Sequence, residues 1–183
     1  HNLYFTENFS KICESVGKNV VGDRRLVLPF FNEEGDLFAL QGRSLDDEGP
    51  RYLTLIFDDD EEVLFGRNTA DLTKPFVVVE GPIDSLFLEN GVAMAGSKGI
   101  NIVHKDKAIV CLDNEPRNAQ IVQKMRRFLK EGWKVVIWPD KIKQKDINDM
   151  VLKNVDVNTI IEENVHHGLA GIITLENWKK VNG

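Results

Sequence analysis

Hydrophobic and polar positions alternate in two different ways along the chain, and the change of pattern divides it. In the first half, the spacing of Phe9, Ile12, Cys13 and Val16 predicts a short helix within residues 3–17. Arg25-Leu26-Val27-Leu28-Pro29-Phe30-Phe31 reads as a strand. Asn32-Glu33-Glu34-Gly35-Asp36 is a polar turn, and Leu37-Phe38-Ala39-Leu40-Gln41-Gly42-Arg43 is the strand returning from it. A further turn at 46–50 precedes a strand over 51–56, and the run Asp58-Asp59-Asp60-Glu61-Glu62 reads as a solvated acidic loop.

From Lys74-Pro75 onward the strands are no longer amphipathic. Phe76-Val77-Val78-Val79 and Ala108-Ile109-Val110-Cys111-Leu112 are continuous apolar runs, as expected of parallel strands covered on both faces. Lys134-Val135-Val136-Ile137-Trp138 is a third. Between them lie a helix from about Pro82, a short strand and glycine turn at 91–98, and a helix over 117–131. In that last helix Ile121, Met125, Phe128 and Leu129 form one face, Lys124, Arg126 and Lys130 face elsewhere, and Gly132 ends it. A helix near Ile147 and one more after Asp156 or Asn158 complete the pattern, with a weaker apolar stretch at 172–175. Strand and helix alternating with short links predict a parallel α/β sheet with right-handed crossovers. The expected organisation is an N-terminal α+β subdomain with antiparallel strands (1–74), a Rossmann-like parallel sheet (75–154) and a helical extension (155–183).

Composition narrows the class without deciding it. The 183 residues are 42% hydrophobic and 28% charged, ordinary for a globular chain. Acids outnumber bases 29 to 23, giving a net charge of −6, which argues against a coat-like nucleic-acid binder or an anionic-membrane binder. No apolar run is long enough for a membrane span, and the first residues lack the charged and apolar regions of a signal peptide, so a cytoplasmic protein is expected. The absence of an initiator Met suggests a larger parent. Two cysteines and no Cys-x-x-Cys pair exclude a disulfide scaffold or zinc ribbon within these residues.

The chemistry lies in where the acids fall. Glu80 ends the first buried strand and Asp113 the second, and ligands of open parallel sheets bind outside the carboxyl ends of the strands. Asp84 follows Glu80 at the helix start, Glu115 follows Asp113, and Asp146 and Asp149 follow the third strand. Taken singly, each acid is most simply a helix cap or a solvated loop residue. Six carboxylates in register at one edge would instead repel unless cations neutralised them. Oxygen donors without histidine or thiolate suit Mg²⁺ or Mn²⁺, and two such ions serve phosphoryl transfer. The segment Gly91–Lys98 nearly matches a P-loop, but it ends Gly-Ser-Lys where Gly-Lys-Ser/Thr is needed, so it is rejected as one.

At these residues the sequence resembles the TOPRIM domain of bacterial and phage-type DNA primases, topoisomerases, nucleases and recombination proteins. Val78-Val79-Glu80-Gly81-Pro82-Ile83-Asp84 is similar to its glutamate motif, Leu112-Asp113-Asn114-Glu115 to its Asp-x-Asp motif, and Lys145-Asp146-Ile147-Asn148-Asp149 to the acidic segment that follows in primases. The stretch from Arg25 to Leu53 is similar to the subdomain that precedes TOPRIM in the primase core. The second acid of the Asp-x-Asp pair is a glutamate here, and Pro116-Arg117-Asn118 replaces the usual Ala-Gly.

The resemblance implies a primase catalytic core that makes RNA primers on a single-stranded DNA template from ribonucleoside triphosphates. Glu80, Asp113 and Glu115 would be catalytic, and together with Asp84, Asp146 and Asp149 would hold Mg²⁺ or Mn²⁺, two ions being expected. Arg43, Arg51 and Lys98 are candidates for nucleotide and template contact, and a replicative helicase would be met through regions outside this chain. A TOPRIM nuclease or recombination module is the alternative.

Overall fold

A computed structural model describes residues 3–19, 24–46, 49–58, 61, 63–94 and 104–181. The chain divides into two compact units, one ending at Thr69 and the other formed, among the described residues, by 70–94 and 104–181. The mixed α/β architecture expected from the sequence is present, with an antiparallel sheet in the first unit and a largely parallel one in the second.

In the first unit, β1 (Tyr4–Thr6), β2 (Arg25–Phe31), β3 (Leu37–Ser44) and β4 (Tyr52–Ile56) form an antiparallel sheet in that order, and α1 (Phe9–Ser15) follows β1. A short β5 (Leu64–Phe65) adds two buried side chains. The single helix expected over 3–17 is therefore a strand and a helix. Tyr4, Phe5 and Thr6 are β-prone and pair with Val27, Leu26 and Arg25. The Thr6 hydroxyl then accepts from the Asn8 amide at 3.0 Å, turning the chain into α1. β1 reaches only as far as Val27, so Pro29, which has no amide hydrogen to give, lies beyond that ladder. The β2–β3 turn is the predicted one: the Asp36 amide donates to Asn32 Oδ1 at 2.8 Å, and Gly35 takes a positive φ of 91°.

α1 covers one face of this sheet, where Phe9, Cys13, Val27 and Leu55 form a buried cluster. Each such side chain contributes about 1.5–3 kcal/mol through its removal from water. Phe30, Phe38 and Phe65 make a second set, with Phe30 edge-on to both partners at 6.2 and 5.2 Å between centroids. Arg25 is fully buried within β2. Its Nη1 donates to the carbonyls of Gly42 at 3.0 Å and Pro50 at 3.1 Å, and its guanidinium lies 5.4 Å from the centre of the Phe9 ring. Both neighbours crowd Gly42, where an added Cβ would lie 2.6 Å from Phe9 Cζ and 2.8 Å from Arg25 Cδ.

In the second unit, β6 (Phe76–Val79), β7 (Gly91–Met94), β8 (Ala108–Cys111) and β9 (Lys134–Val136) are parallel, and β10 (Val165–His166) closes one side antiparallel to β9. The strand order is β10-β9-β8-β6-β7. The crossovers carry α2 (Pro82–Ser85), α3 (Ala119–Lys130), α4 (Ile147–Leu152) and α5 (Val157–Glu163), and α6 (Gly168–Trp178) ends the unit. Side-chain oxygens cap three of these helices: Asn118 for α3, Asp146 for α4 and Asp156 for α5. Gly132 closes α3 at φ 84°, and the Trp133 amide returns to the Phe128 carbonyl at 2.9 Å.

The tail holds two helices and an edge strand where one helix was expected. The stretch 172–175 is a half-exposed part of α6, whose weak periodicity hid it: Gly171, Leu175 and Trp178 are buried while Leu169 and Ile173 face water. α6 docks on α3, with Gly171 so close to Leu129 Cδ2 that a Cβ there would fall at 2.6 Å, and Arg126 pairs with Glu176 across the two helices.

Replacing Gly42 with Ala forces Phe9 or Arg25 out of place. We expect a lower urea midpoint corresponding to about 1–3 kcal/mol, with an unchanged denaturant slope, in equilibrium unfolding.

Candidate metal centre

The register of the parallel strands determines where the acids go. Val79 lies opposite Cys111 across the β6–β8 ladder, so the residues that follow, Glu80 and Asp113, emerge at the same edge. Apolar strands buried on both faces can carry a carboxylate only beyond their ends. Glu80, Asp84, Asp113 and Asp146 line one small recess, floored by Val79, Cys111, Leu112, Trp138 and Ile147. Glu115 sits beside it, joined to Asp113 through a shared lysine.

Local contacts set each acid in place. Gly81 leaves space for the Asp84 carboxylate to fold back, since a Cβ there would meet Asp84 Oδ2 at 2.7 Å. Asp84 Oδ1 accepts from the Asn148 amide at 3.0 Å, which ties α2 to the start of α4. The Asp146 Oδ1 accepts from the Asp149 amide at 2.8 Å, so Asp146 caps α4 as well as facing the recess. Asp149 contributes its backbone to that cap, and its side chain is not among those lining the recess.

The Asp113 loop is held by Asn114. Its amide donates to the Lys145 carbonyl at 2.7 Å, and its side-chain nitrogen to the carbonyls of Ile142 and Gln144 at 3.1 and 3.0 Å. Trp138 Nε1 donates to the Leu112 carbonyl at 2.8 Å, fixing the end of β8. Beyond α6, the Lys180 amide donates to the Pro116 carbonyl at 2.8 Å, anchoring the residue after Glu115.

Two lysines answer the crowded charge. Lys124 Nζ on α3 lies 2.7 Å from Glu80 Oε1, and Lys145 Nζ lies 3.7 Å from Asp113 and 3.5 Å from Glu115. Burial, with the charge of Glu80, pushes the Asp113 carboxyl up to about 6; Lys145 opposes the shift, and Asp84 and Asp146 add to it. Burial works against the Lys145 ammonium, but Glu115 and Asp113 outweigh it and raise its pKa. The Cys111 thiol beneath the recess is pushed well up, first by burial and then by Asp84, Asp113 and Glu80.

Among the described residues no three acid, histidine or cysteine side chains already converge as a preformed ion cage. Of the six acids expected at this edge, Glu80, Asp84, Asp113 and Asp146 line the recess, Glu115 stands beside it and Asp149 is not among the lining residues. The donor set still suits a hard divalent cation: the four carboxylates are oxygen donors, no histidine joins them, and the one thiol nearby is held protonated.

Of the basic candidates, Arg43 and Arg51 both lie in the first unit. Their guanidinium carbons are 5.9 and 5.8 Å from the centre of the Tyr52 ring. Lys98 and the turn at 95–97 lie outside the described residues. Sequence reasoning missed Lys124, because its helical position places it off the apolar stripe and spacing alone does not disclose a partner 44 residues away.

No protein-family model matches the chain. Its fold is that of bacterial primase catalytic cores: the E. coli primase catalytic core superposes with a TM-score of 0.64 at 20% identity, covering 91% of this chain and 62% of that one. A DNA primase domain from Pseudomonas aeruginosa does so with a TM-score of 0.64 at 19% identity, over 95% and 68%. In sequence, the chain is 32% identical over 192 residues to the DNA primase of Enterobacteria phage T4, a match covering 98% of this chain. The chain spans 56% of the length of that relative.

Because the folded state raises the Asp113 pKa above its unfolded value near 4, folding is penalised once pH exceeds about 6, and the penalty disappears as pH falls through the interval from 6 to 4. Asp113→Asn should therefore stabilise the protein at pH 7 by about 1–2 kcal/mol. Thermal melts without divalent ions should show the gain at pH 7 and its loss near pH 4.

Proposed function

We propose that this chain is the catalytic core of a DNA primase, a TOPRIM-type enzyme that joins ribonucleotides on a single-stranded DNA template. The observation that carries the reading is the set of strand-end carboxylates around one recess, in a chain with the fold of primase catalytic cores. The 32% identity to the phage T4 DNA primase supports it, and so does the structure of a related primase catalytic domain bound to single-stranded DNA. That domain superposes with a TM-score of 0.59 at 18% identity.

In this reading Glu80, Asp84, Asp113 and Asp146 hold Mg²⁺ or Mn²⁺, with Glu115 beside them and Asp149 supporting Asp146 through the α4 cap. Bound divalent ions, two by this reading, would supply charge neutralisation to the attacking and leaving oxygens of phosphoryl transfer. The 3′-hydroxyl of one nucleotide forms a bond to the α-phosphorus of the next. The bond from that phosphorus to the bridging oxygen breaks, pyrophosphate leaves, and the hydroxyl proton passes to solvent. The protein's part is positional: Asn114 and Trp138 fix the Asp113 loop, Asn148 fixes Asp84, and Lys145 spans Asp113 and Glu115.

Arg43, Arg51 and Lys98 are assigned to nucleotide and template phosphates; the guanidinium groups of Arg43 and Arg51 both lie over the Tyr52 ring. A replicative helicase is assigned to parts of the protein outside this chain. No helix among the described residues is long and apolar enough to cross a membrane, and the buried cysteines Cys13 and Cys111, neither in a disulfide, suit a reducing cytoplasm.

Given single-stranded template, four ribonucleoside triphosphates and Mg²⁺, the protein should yield short RNA. Glu80→Gln should lower that yield by at least about a hundredfold while leaving the melting temperature within a few degrees. Undiminished synthesis by the variant refutes the role given to Glu80, and DNA cleavage in place of RNA synthesis favours a TOPRIM nuclease.

A further inference from the structure

We infer that Lys124 is an exchangeable counter-cation for Glu80: it holds the carboxylate while the site is free of metal and must give it up when a divalent ion binds. The inference rests on the metal reading above and deepens it.

The ion pair is tighter than either contact that Lys145 makes with the strand-end acids. Lys124 Nζ lies 2.7 Å from Glu80 Oε1, whereas Lys145 stands 3.5 Å or more from both of its partners. The two lysines also differ in how they are held. Lys145 belongs to the loop that carries Asp146 and bridges two acids at once, so it can stay in place while either is engaged elsewhere. Lys124 projects from the exposed side of α3, and its side chain is 48% exposed. Its ammonium is therefore well hydrated, and departure strands no buried charge. The Glu80 side chain is the more buried partner at 27% exposure, so it is the acid that needs a counter-charge.

A charge-assisted hydrogen bond of this length occupies a carboxylate oxygen lone pair, and an ammonium that remained there would repel a doubly charged ion on the same group. The ion pair and metal ligation at Glu80 therefore compete through like-charge repulsion, and the protein's affinity for the ion is its intrinsic affinity reduced by the cost of displacing Lys124 from Oε1. One lysine on a helix face tunes the metal concentration at which the site fills, without being a ligand.

The test measures Mn²⁺ binding to the nucleotide-free protein, by electron paramagnetic resonance of unbound Mn²⁺, with no activity involved. Lys124→Met should bind Mn²⁺ about three- to tenfold more tightly than the unaltered chain, and Lys124→Arg, which keeps the charge, should restore the weaker affinity. Lys130→Met removes the same charge from the exposed end of the same helix and should change affinity less than twofold. In a Glu80→Gln background the Lys124→Met gain should vanish. Unchanged or weaker binding by Lys124→Met, or an equal gain in Lys130→Met, overturns the inference. If Glu80→Gln binds Mn²⁺ as tightly as the unaltered protein, the metal reading at Glu80 fails and this inference falls with it. If Glu80→Gln loses binding but Lys124→Met gains none, the metal reading stands and only the exchange is refuted. Thermal melts of each variant ensure that folded proteins are compared.

Discussion

Negative charge crowded at one edge of a parallel sheet is the constraint to which the second unit is built. β6 and β8 run in register and are buried at three of their four positions each, so their interiors offer little room for a carboxylate. Their acids are forced beyond the strand ends, and the register brings those ends together. Burial and mutual repulsion then lift Asp113 to about 6 and push up the Cys111 thiol beneath. The arrangement disfavours folding by itself, which is how functional sites commonly stand against the rest of a protein.

The surrounding structure contains that repulsion by spending hydrogen bonds on geometry. Three contacts from Asn114 lock the Asp113 loop to the 142–145 segment. Trp138 holds Leu112, Asn148 holds Asp84, and Lys180 holds Pro116 from the far end of the chain. The tail is thus part of the machinery that positions Glu115, and α6 owes its own placement to the close approach of Gly171 to Leu129 and the Arg126–Glu176 pair.

The parts of this arrangement that were legible in the sequence share one property: they depend on local pattern. The apolar runs at 76–79 and 108–112, the α3 stripe and the acids at positions 80, 84, 113 and 146 could be read directly, because strand ends and helix faces are properties of a few adjacent residues. What stayed hidden depends on pairing between distant segments. The helical pattern over 3–17 absorbs β1 because three residues show no periodicity of their own, and it is β2 that makes them a strand. β10 exists only by pairing with β9. Asp149 looked like a member of the cluster by its spacing from Asp146, but the helix cap uses its backbone. Lys124 lies off the apolar stripe of α3, and spacing does not disclose a partner 44 residues away.

Net charge shows the same limit in reverse. A total of −6 argues against a basic nucleic-acid coat, yet affinity for a polyanion depends on the field where the phosphate docks. Among the described residues, five carboxylates, Glu80, Asp84, Asp113, Glu115 and Asp146, stand in the recess or beside it against two ammonium groups, Lys124 and Lys145, a balance that disfavours phosphate without metal. Divalent cations reverse the sign at that edge alone and leave the total almost unchanged. On the proposed reading, the acidity that argued against a nucleic-acid enzyme is what makes the edge cation-dependent. An acidic chain with such a site would admit phosphate to that edge when loaded with metal, while its net charge would go on opposing non-specific hold on nucleic acid between catalytic encounters.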